Sequence, residues 1–284
     1  MLRPAEERML FLLARAYALP KFEIVDAGAF IGGSARALAA GLDARPDREK
    51  FFKSVHSYDL FLANSDFYRR YLHASVVDGG SFLPMFLHNT RTWSDFINVY
   101  RGDFTTFRWI GKPISLLFSD IEKTTALGHH LWTEFAPWLV VGESIFVEQD
   151  FVHTQAPHVH VLLGSLEDHF NFDVLVTPSL VLRFRQALDL EVIAEALERA
   201  KSGSFEAQAV AVDRLAARVG ALENREADGT LMIIKGRLAL QHKLSDECAK
   251  IIDAIRREYG DLDERYFQAR IEDLARRLAA AANA

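Results

Sequence analysis

The chain has 284 residues, half of them hydrophobic and a quarter charged, which is typical of a folded protein with a sizeable core. Its net charge of −6 argues against nucleic acid or an anionic membrane surface as the main partner. The one cysteine, Cys248, excludes an intramolecular disulfide and a zinc site built from thiolates, and it fits a reducing cytoplasm.

The chain begins with an amphipathic pattern. Residues 5–19 favour a helix that ends before Pro20, where the backbone loses a hydrogen-bond donor. Arg15 interrupts the apolar run too early for a signal peptide, and no segment approaches the roughly 20 apolar residues that cross a bilayer. We therefore expect a cytoplasmic protein without a membrane partner.

A strand, a glycine turn and a helix follow between residues 22 and 42. The apolar strand ends in Asp26, the turn contains Gly28 and Gly32, and Ser34 is expected to begin and cap the helix. Glycines suit such a turn because the backbone bends tightly and a ligand approaches closely. This is the first βα unit of a doubly wound α/β sheet, in which ligands bind at the carboxyl ends of the strands.

The spacing of the glycines narrows the choice of ligand. A dinucleotide-binding turn has the pattern G-x-G-x-x-G, which this chain lacks, so an NAD-dependent enzyme is disfavoured. The pattern acid-x-Gly-x-x-x-Gly resembles the first motif of class I S-adenosylmethionine-dependent methyltransferases. That resemblance implies that Asp26, Gly28, Gly32 and Ser34 hold the methionine part of S-adenosylmethionine. The alternative is a structural βα turn without a ligand.

The second strand also ends in an acid, Asp59. A carboxylate at this place in a nucleoside-binding α/β fold accepts hydrogen bonds from ribose hydroxyls. Residues 58–61 (YDLF) resemble the Phe-Asp-x-Phe segment of sugar-modifying methyltransferases, which implies the same role; the alternative is a solvated loop acid. Residues 62–96 are expected to be helical with a break at 78–80, either as a packing insertion or as part of a substrate wall.

Three more strands and a hairpin complete the expected sheet. Strands are predicted over 97–104, 114–120 and 142–150, and a closing hairpin is predicted over 172–185. Five parallel strands and a terminal hairpin are the class I methyltransferase layout, so the resemblance covers about residues 20–187. It implies that Asp103, after the third strand, faces the adenine ring.

The last third of the chain is expected to be helical. Apolar residues recur three or four positions apart over 190–200, 205–222, 231–243, 246–259 and 262–282, with a turn at 227–229. We therefore predict a mostly parallel, Rossmann-like methyltransferase domain over residues 1–188, with an antiparallel terminal strand. An all-α extension over 189–284 would pack on this domain or form a homo-oligomer.

The core most resembles the macrocin O-methyltransferase family and its cephalosporin-hydroxylase-like relatives. Members carry Asp-Gly-Asp after the fourth strand and Asp-Asp after the fifth, and these acids bind a cation of the magnesium type that lowers the pKa of the acceptor hydroxyl. This chain has Asp120-Ile-Glu122 and Gln149-Asp150 there. The resemblance thus implies a Mg²⁺ site of Asp120, Glu122 and Asp150, weakened because Gln149 carries no charge.

Methyl transfer to a hydroxyl also needs a group that removes a proton. Asp120 and His153 are the two candidates, and neither is excluded by the sequence. We expect an S-adenosylmethionine-dependent O-methyltransferase that acts on a small molecule such as a sugar-bearing natural product. Glu122, Glu143 and Gln149 keep an alternative open, in which a methyltransferase-like core has lost its chemistry and binds or assembles partners through its helical tail.

Overall fold

The computed structural model describes residues 2–63, 79–262 and 265–282. The strands are β1 (Glu23–Ala27), β2 (Val55–Asp59), β3 (Ile97–Arg101), β4 (Ile114–Ser119), β5 (Ile145–Glu148), β6 (Phe170–Val176) and β7 (Ser179–Phe184). The helices are α1 (Pro4–Tyr17), α2 (Gly33–Asp43), α3 (Leu83–Thr90), α4 (Thr125–His130), α5 (Pro157–Ser165), α6 (Leu190–Ser202), α7 (Phe205–Gly220), α8 (Arg225–Gln241), α9 (Ser245–Tyr259) and α10 (Arg265–Ala282). Every helix within these ranges is too short or too polar to cross a bilayer.

Among the described residues, seven strands form one sheet in the order β3-β2-β1-β4-β5-β7-β6. The neighbours from β3 to β5 are parallel, whereas β6 and β7 pair antiparallel. All residues of β1, β2, β4 and β5 are buried, which is typical of parallel strands with both faces covered. The expected fold class, a mostly parallel Rossmann-like sheet followed by helices, is confirmed.

The chain divides into two compact units. The first comprises Met1–Ile121 and Glu134–Gln149 and contains the five parallel strands. In this unit Met9, Leu10 and Ala14 form the buried side of α1, as the amphipathic pattern predicts.

Tyr58, the residue before Asp59, stacks on Tyr100 with ring centroids 4.6 Å apart. The edges of three further rings meet Tyr58, those of Phe104, Phe107 and Phe135. Aromatic packing therefore fixes the end of β2.

The second unit comprises Glu122–Thr133 and Asp150–Ala284. It contains the β6–β7 hairpin and the helices from α5 onward. Helix α5 runs so close to α7 that a Cβ on Gly164 would overlap the backbone oxygen of Ala211. Helices α8, α9 and α10 enclose a separate apolar cluster that includes Ile233, Ile255 and Phe267. The predicted domain boundary, between a methyltransferase-like domain over residues 1–188 and an all-α extension over residues 189–284, stays a prediction.

Two local predictions are wrong. Helix α2 begins one residue before Ser34, and its N-cap is Gly32 in the left-handed conformation, so Ser34 does not cap it. Residues 227–229 are not a turn, because Asn224 caps α8 by accepting a hydrogen bond from Ala227 N and the helix continues through them. Gly229 lies inside that helix because the ring of Phe267 occupies the space that a Cβ would need.

The remaining boundaries agree with the patterns to within a few residues, apart from the stretch 62–96. Of that stretch, residues 83–90 are helical and 91–96 form a 3₁₀ helix. The part of the predicted helical stretch from 64 to 78 lies outside the described residues.

Candidate functional site

The glycine turn after β1 is bracketed by the two neighbouring strands. Gly28 N donates to Tyr58 O at 3.0 Å, and Asp120 N donates to Ala27 O at 2.8 Å. Gly28 has a φ of +97°, and a Cβ there would lie 2.5 Å from the backbone oxygen of Asp120. Gly32, with a φ of +92°, has the methyl group of Thr90 where its Cβ would be. Both glycines are therefore required by backbone conformation and by close packing.

Asp26 lies fully buried at the base of this turn. The β1–β2 register places Ser57 opposite it, and Ser57 Oγ donates to Asp26 Oδ2 at 2.8 Å. Burial raises the pKa of Asp26 to about 7, hydrogen bonds from Ser34 and Ser57 oppose that rise, and the charges of Asp120 and Asp59 add to it. Its Oδ1 is buried with no hydrogen-bond partner within the described part of the chain. A buried acceptor of this kind favours a donor group supplied by a ligand.

Asp59 ends β2 with both carboxylate oxygens engaged. Oδ2 accepts a hydrogen bond from Phe30 N at 2.8 Å, and Oδ1 accepts one from Phe61 N at 2.7 Å. Burial raises the pKa of Asp59, and the backbone hydrogen bonds from Phe61 and Phe30 oppose that rise. Because each carboxylate oxygen has a second lone pair, the carboxylate can still accept ribose hydroxyls. The ribose role stays a prediction.

Asp103 has a local structural role. It caps the 3₁₀ helix Phe104–Thr106, and its Oδ1 accepts hydrogen bonds from Thr105 N at 3.0 Å and from Thr105 Oγ1 at 2.8 Å. The residue is exposed. Its predicted position beside the adenine ring stays a prediction.

Helix α3 contributes contacts to the turn that the sequence did not reveal. Asn89 Nδ2 donates to Ile31 O at 2.9 Å, 58 positions back along the chain. The Phe86 ring and the Thr90 methyl group pack where a Cβ on Gly32 would lie. Nothing in the spacing of residues 62–96 singles out Asn89, because its partner is defined only by the packing of α3 on the turn.

The predicted magnesium site finds no support. Within the described ranges, no three His, Cys, Asp or Glu side chains are grouped so as to hold a metal ion. In the second unit, the buried Glu122 carboxylate accepts hydrogen bonds from Trp132 Nε1 at 3.2 and 3.1 Å. The Asp150 carboxylate is paired with Lys123 and with His153. Protein partners thus engage two of the three predicted ligands, and these residues do not fit a resident cation.

Gln149, the fourth residue of the family's acidic pattern, also has a partner in the protein. Its Nε2 donates to Oε1 of the buried Glu6 at 3.4 Å. The neutral residue that departs from the family therefore lies against a residue of α1. An amide at this position can donate to Glu6, whereas a second carboxylate would place two negative charges side by side.

The histidines after β5 differ from one another. His160 is buried, its Nε2 lies 2.6 Å from Phe151 O, and burial lowers its pKa to about 4, so it is neutral and part of the core. Burial also lowers the pKa of His158, and interactions with the backbone of Glu122 and Thr124 oppose that decrease. His153 is half exposed, and its Nδ1 lies 2.5 Å from Asp150 Oδ1, which orients the ring. Its role as a base stays a prediction.

No family model matches the sequence, and none of the curated proteins does either. Among solved structures, the chain is similar to selenomethionine-labelled phosphoethanolamine N-methyltransferase 1 from Haemonchus contortus, in complex with phosphoethanolamine and S-adenosylhomocysteine. The two are 14% identical with a TM-score of 0.39, and the match covers 68% of this chain and 47% of that one. The chain thus spans about half the length of that protein. At this level of likeness, the fold assignment rests on the strand order of the sheet itself.

Proposed function

We propose that this chain is a class I S-adenosylmethionine-dependent methyltransferase that binds its cofactor at the turn between β1 and α2. The observation that carries this proposal is the buried Asp26, which lies at the base of the turn with an Oδ1 that has no partner in the described structure. The sheet order supports it, because the turn follows the strand between β2 and β4, where an α/β sheet changes direction.

The charge around the turn favours a cationic ligand. The charges of Asp120 and Asp59 both raise the pKa of Asp26, so two carboxylates repel negative charge on a third at this place. A ligand with positive charge relieves that repulsion, whereas the pyrophosphate of a dinucleotide would add to it. S-adenosylmethionine carries a sulfonium and an ammonium group. The charge around the turn therefore favours S-adenosylmethionine over NAD independently of the glycine spacing.

The residues fit the cofactor as follows. Gly28 and Gly32 keep the turn free of side chains, Asp26 Oδ1 can accept a hydrogen bond from the ammonium group, and Asp59 retains lone pairs for the ribose hydroxyls. When bound, S-adenosylmethionine supplies an electrophilic methyl group. The chain's own contribution is to hold that group in line with an acceptor and to receive the acceptor's proton.

For the acceptor we propose a hydroxyl group of a small molecule such as a sugar or a natural product. Asp120 and His153 remain the two candidate bases. Asp120 follows β4 beside the glycine turn, and His153 is oriented by Asp150. Magnesium has no part in this proposal, because Glu122 and Asp150 are engaged by other side chains.

A second candidate is a methyltransferase-like protein that binds or assembles partners without catalysis. The observation in its favour is that Glu122 and Gln149, which depart from the family's acidic pattern, make contacts inside the protein. The C-terminal helices α6 to α10 would then make the partner or homo-oligomer contacts. That role of the helices stays a prediction.

The first test is calorimetric titration with S-adenosylhomocysteine, with and without magnesium, and with NAD as the competing ligand. We expect a dissociation constant in the micromolar range, about −8 kcal/mol, for S-adenosylhomocysteine alone. Asp59→Ala should weaken it, whereas Glu49→Gln, which removes an exposed carboxylate in the 3₁₀ helix Arg48–Phe51, should not. Absence of binding would refute the cofactor site.

A turnover assay separates the two candidate functions. The protein is incubated with S-adenosylmethionine and a panel of hydroxyl-bearing small molecules, and S-adenosylhomocysteine formation is measured. Product formation that depends on one acceptor supports the methyltransferase. Tight cofactor binding with no turnover on any acceptor favours the non-catalytic alternative.

A further inference from the structure

Two phenylalanines beside Asp59 have an unusual backbone. Phe30, in the middle of the glycine turn, has a φ of 45°, and Phe61, just after β2, has a φ of 54°. A residue with a bulky side chain rarely adopts this left-handed conformation, because its Cβ crowds the following carbonyl. Such a conformation persists only where surrounding contacts hold it.

The Asp59 carboxylate supplies those contacts for both residues. One oxygen accepts the N–H of Phe30 at 2.8 Å, and the other accepts the N–H of Phe61 at 2.7 Å. Asp59 is 9% exposed, the hydrogen bond from Phe61 is buried and that from Phe30 is partly buried, so water competes only weakly for these amides. One side chain therefore holds two strained backbone positions that are 31 residues apart.

The two phenylalanine rings meet a third ring. Phe82, the N-cap residue of α3, lies with its ring centroid 5.4 Å from that of Phe30 and 5.7 Å from that of Phe61. Phe82 N also donates to Phe61 O at 3.0 Å. The ring contacts keep the two side chains in place while the carboxylate holds their amides.

We propose that Asp59 is a positioning residue that locks the cofactor turn in its left-handed conformation at Phe30. This inference rests on the proposed function, and it deepens the role of Asp59. The contribution of Asp59 to cofactor affinity runs through the backbone of the turn as well as through any contact with the ribose. Because glycine adopts a positive φ without strain, a turn with glycine at position 30 no longer needs the carboxylate.

The test is a double-mutant cycle on S-adenosylhomocysteine affinity. Asp59→Asn keeps the size of the side chain and one acceptor oxygen but places an amide group against one of the two N–H donors. We expect it to weaken binding about tenfold, the loss typical of a hydrogen bond to a charged group. In the Phe30→Gly background we expect the same substitution to weaken binding by less than about threefold, because the two changes are coupled.

Phe30→Ala is the matched control. It removes the ring, as glycine does, but it keeps the Cβ that disfavours the left-handed conformation. In that background Asp59→Asn should still weaken binding about tenfold. Rescue by glycine and not by alanine supports the backbone role. Equal losses in the wild-type, glycine and alanine backgrounds would overturn it and leave direct contact with the ligand as the explanation.

Urea denaturation of the same variants tests the inference without any ligand. We expect Asp59→Asn to lower the unfolding midpoint of the wild type more than that of Phe30→Gly. If the wild type does not bind S-adenosylhomocysteine, the proposed function fails, yet this comparison still tests the backbone lock. Equal shifts of the midpoint in both backgrounds would overturn the lock itself.

Discussion

Replacing Asp26 with asparagine should remove the pH dependence that this buried carboxyl imposes on stability. Burial raises its pKa from the ordinary 3.8 to about 7. Between these two values the folded protein holds a proton that the unfolded chain releases, so the contribution of Asp26 to stability falls as the pH rises. Asparagine has nearly the same shape and stays neutral at every pH, so Asp26→Asn removes this dependence.

The size of the effect follows from the shift in pKa. A rise of about 3 pKa units corresponds to roughly 4 kcal/mol of destabilisation at a pH well above 7, at about 1.4 kcal/mol per unit. Most of this develops above pH 5, so the ionisation of Asp26 should lower the free energy of unfolding by about 2–3 kcal/mol between pH 5 and pH 8. The stability of Asp26→Asn relative to the wild type should therefore increase by that amount over the same interval.

The assay is urea denaturation of the ligand-free protein at several pH values, with the difference between variant and wild type as the measured quantity. Taking this difference cancels the contributions of other titrating groups, which are common to both proteins. Glu49→Gln, which neutralises an exposed carboxylate, is the control and should show no such trend. A difference between Asp26→Asn and wild type that stays constant from pH 5 to pH 8 would refute the argument from burial.

Glycine substitutions and a metal titration test the packing and the site. Gly28→Ala should lower the free energy of unfolding by about 3 kcal/mol or more, because its Cβ would lie 2.5 Å from Asp120 O. Gly142→Ala, which also has a positive φ but open space around it, should lower it by only about 1–2 kcal/mol, and equal losses would contradict the close contact. Gly164→Ala should lower the free energy of unfolding by about 1–3 kcal/mol through overpacking between α5 and α7, and an unchanged urea midpoint would show that the two helices adjust freely. Magnesium added to about 1 mM should produce no saturable calorimetric heat, since a −4 kcal/mol site would be detected there; saturable heat would restore the predicted cation site.

Several features of the site follow from local sequence because the geometry of a βα unit is local. A buried strand, a glycine turn and a helix in sequence place Asp26 at the carboxyl end of β1, and parallel neighbours place Asp59 and Asp120 at the same edge. The hydrophobic patterns likewise predict the five parallel strands and the hairpin. These inferences need only the period of the pattern and the connectivity of the chain.

The partners of those residues could not be predicted in the same way. The sequence predicts that Asp59 accepts ribose hydroxyls, and this role stays a prediction, but no local pattern indicates that its oxygens also accept hydrogen bonds from the amides of Phe30 and Phe61. Glu122 was expected to bind a cation, but its carboxylate accepts hydrogen bonds from the Trp132 indole. Asn89 shows no local signal at all. A family pattern locates a residue along the chain, but it does not indicate which hydrogen-bond donor packs against that residue in the folded protein.

The sequence by itself determined where the strands lie along the chain, where the glycine turn occurs, and which acids stand at the ends of the strands. Each of these depends on residues within a few positions of one another, where backbone geometry and hydrophobic period act directly. Only the tertiary structure decided that Asn89 lies against Ile31, that Asp26 is buried, and that Asp59 accepts hydrogen bonds from the amides of Phe30 and Phe61. Burial and hydrogen-bond partners depend on side chains tens of residues away that packing brings within about 3 Å, and no local pattern encodes that approach.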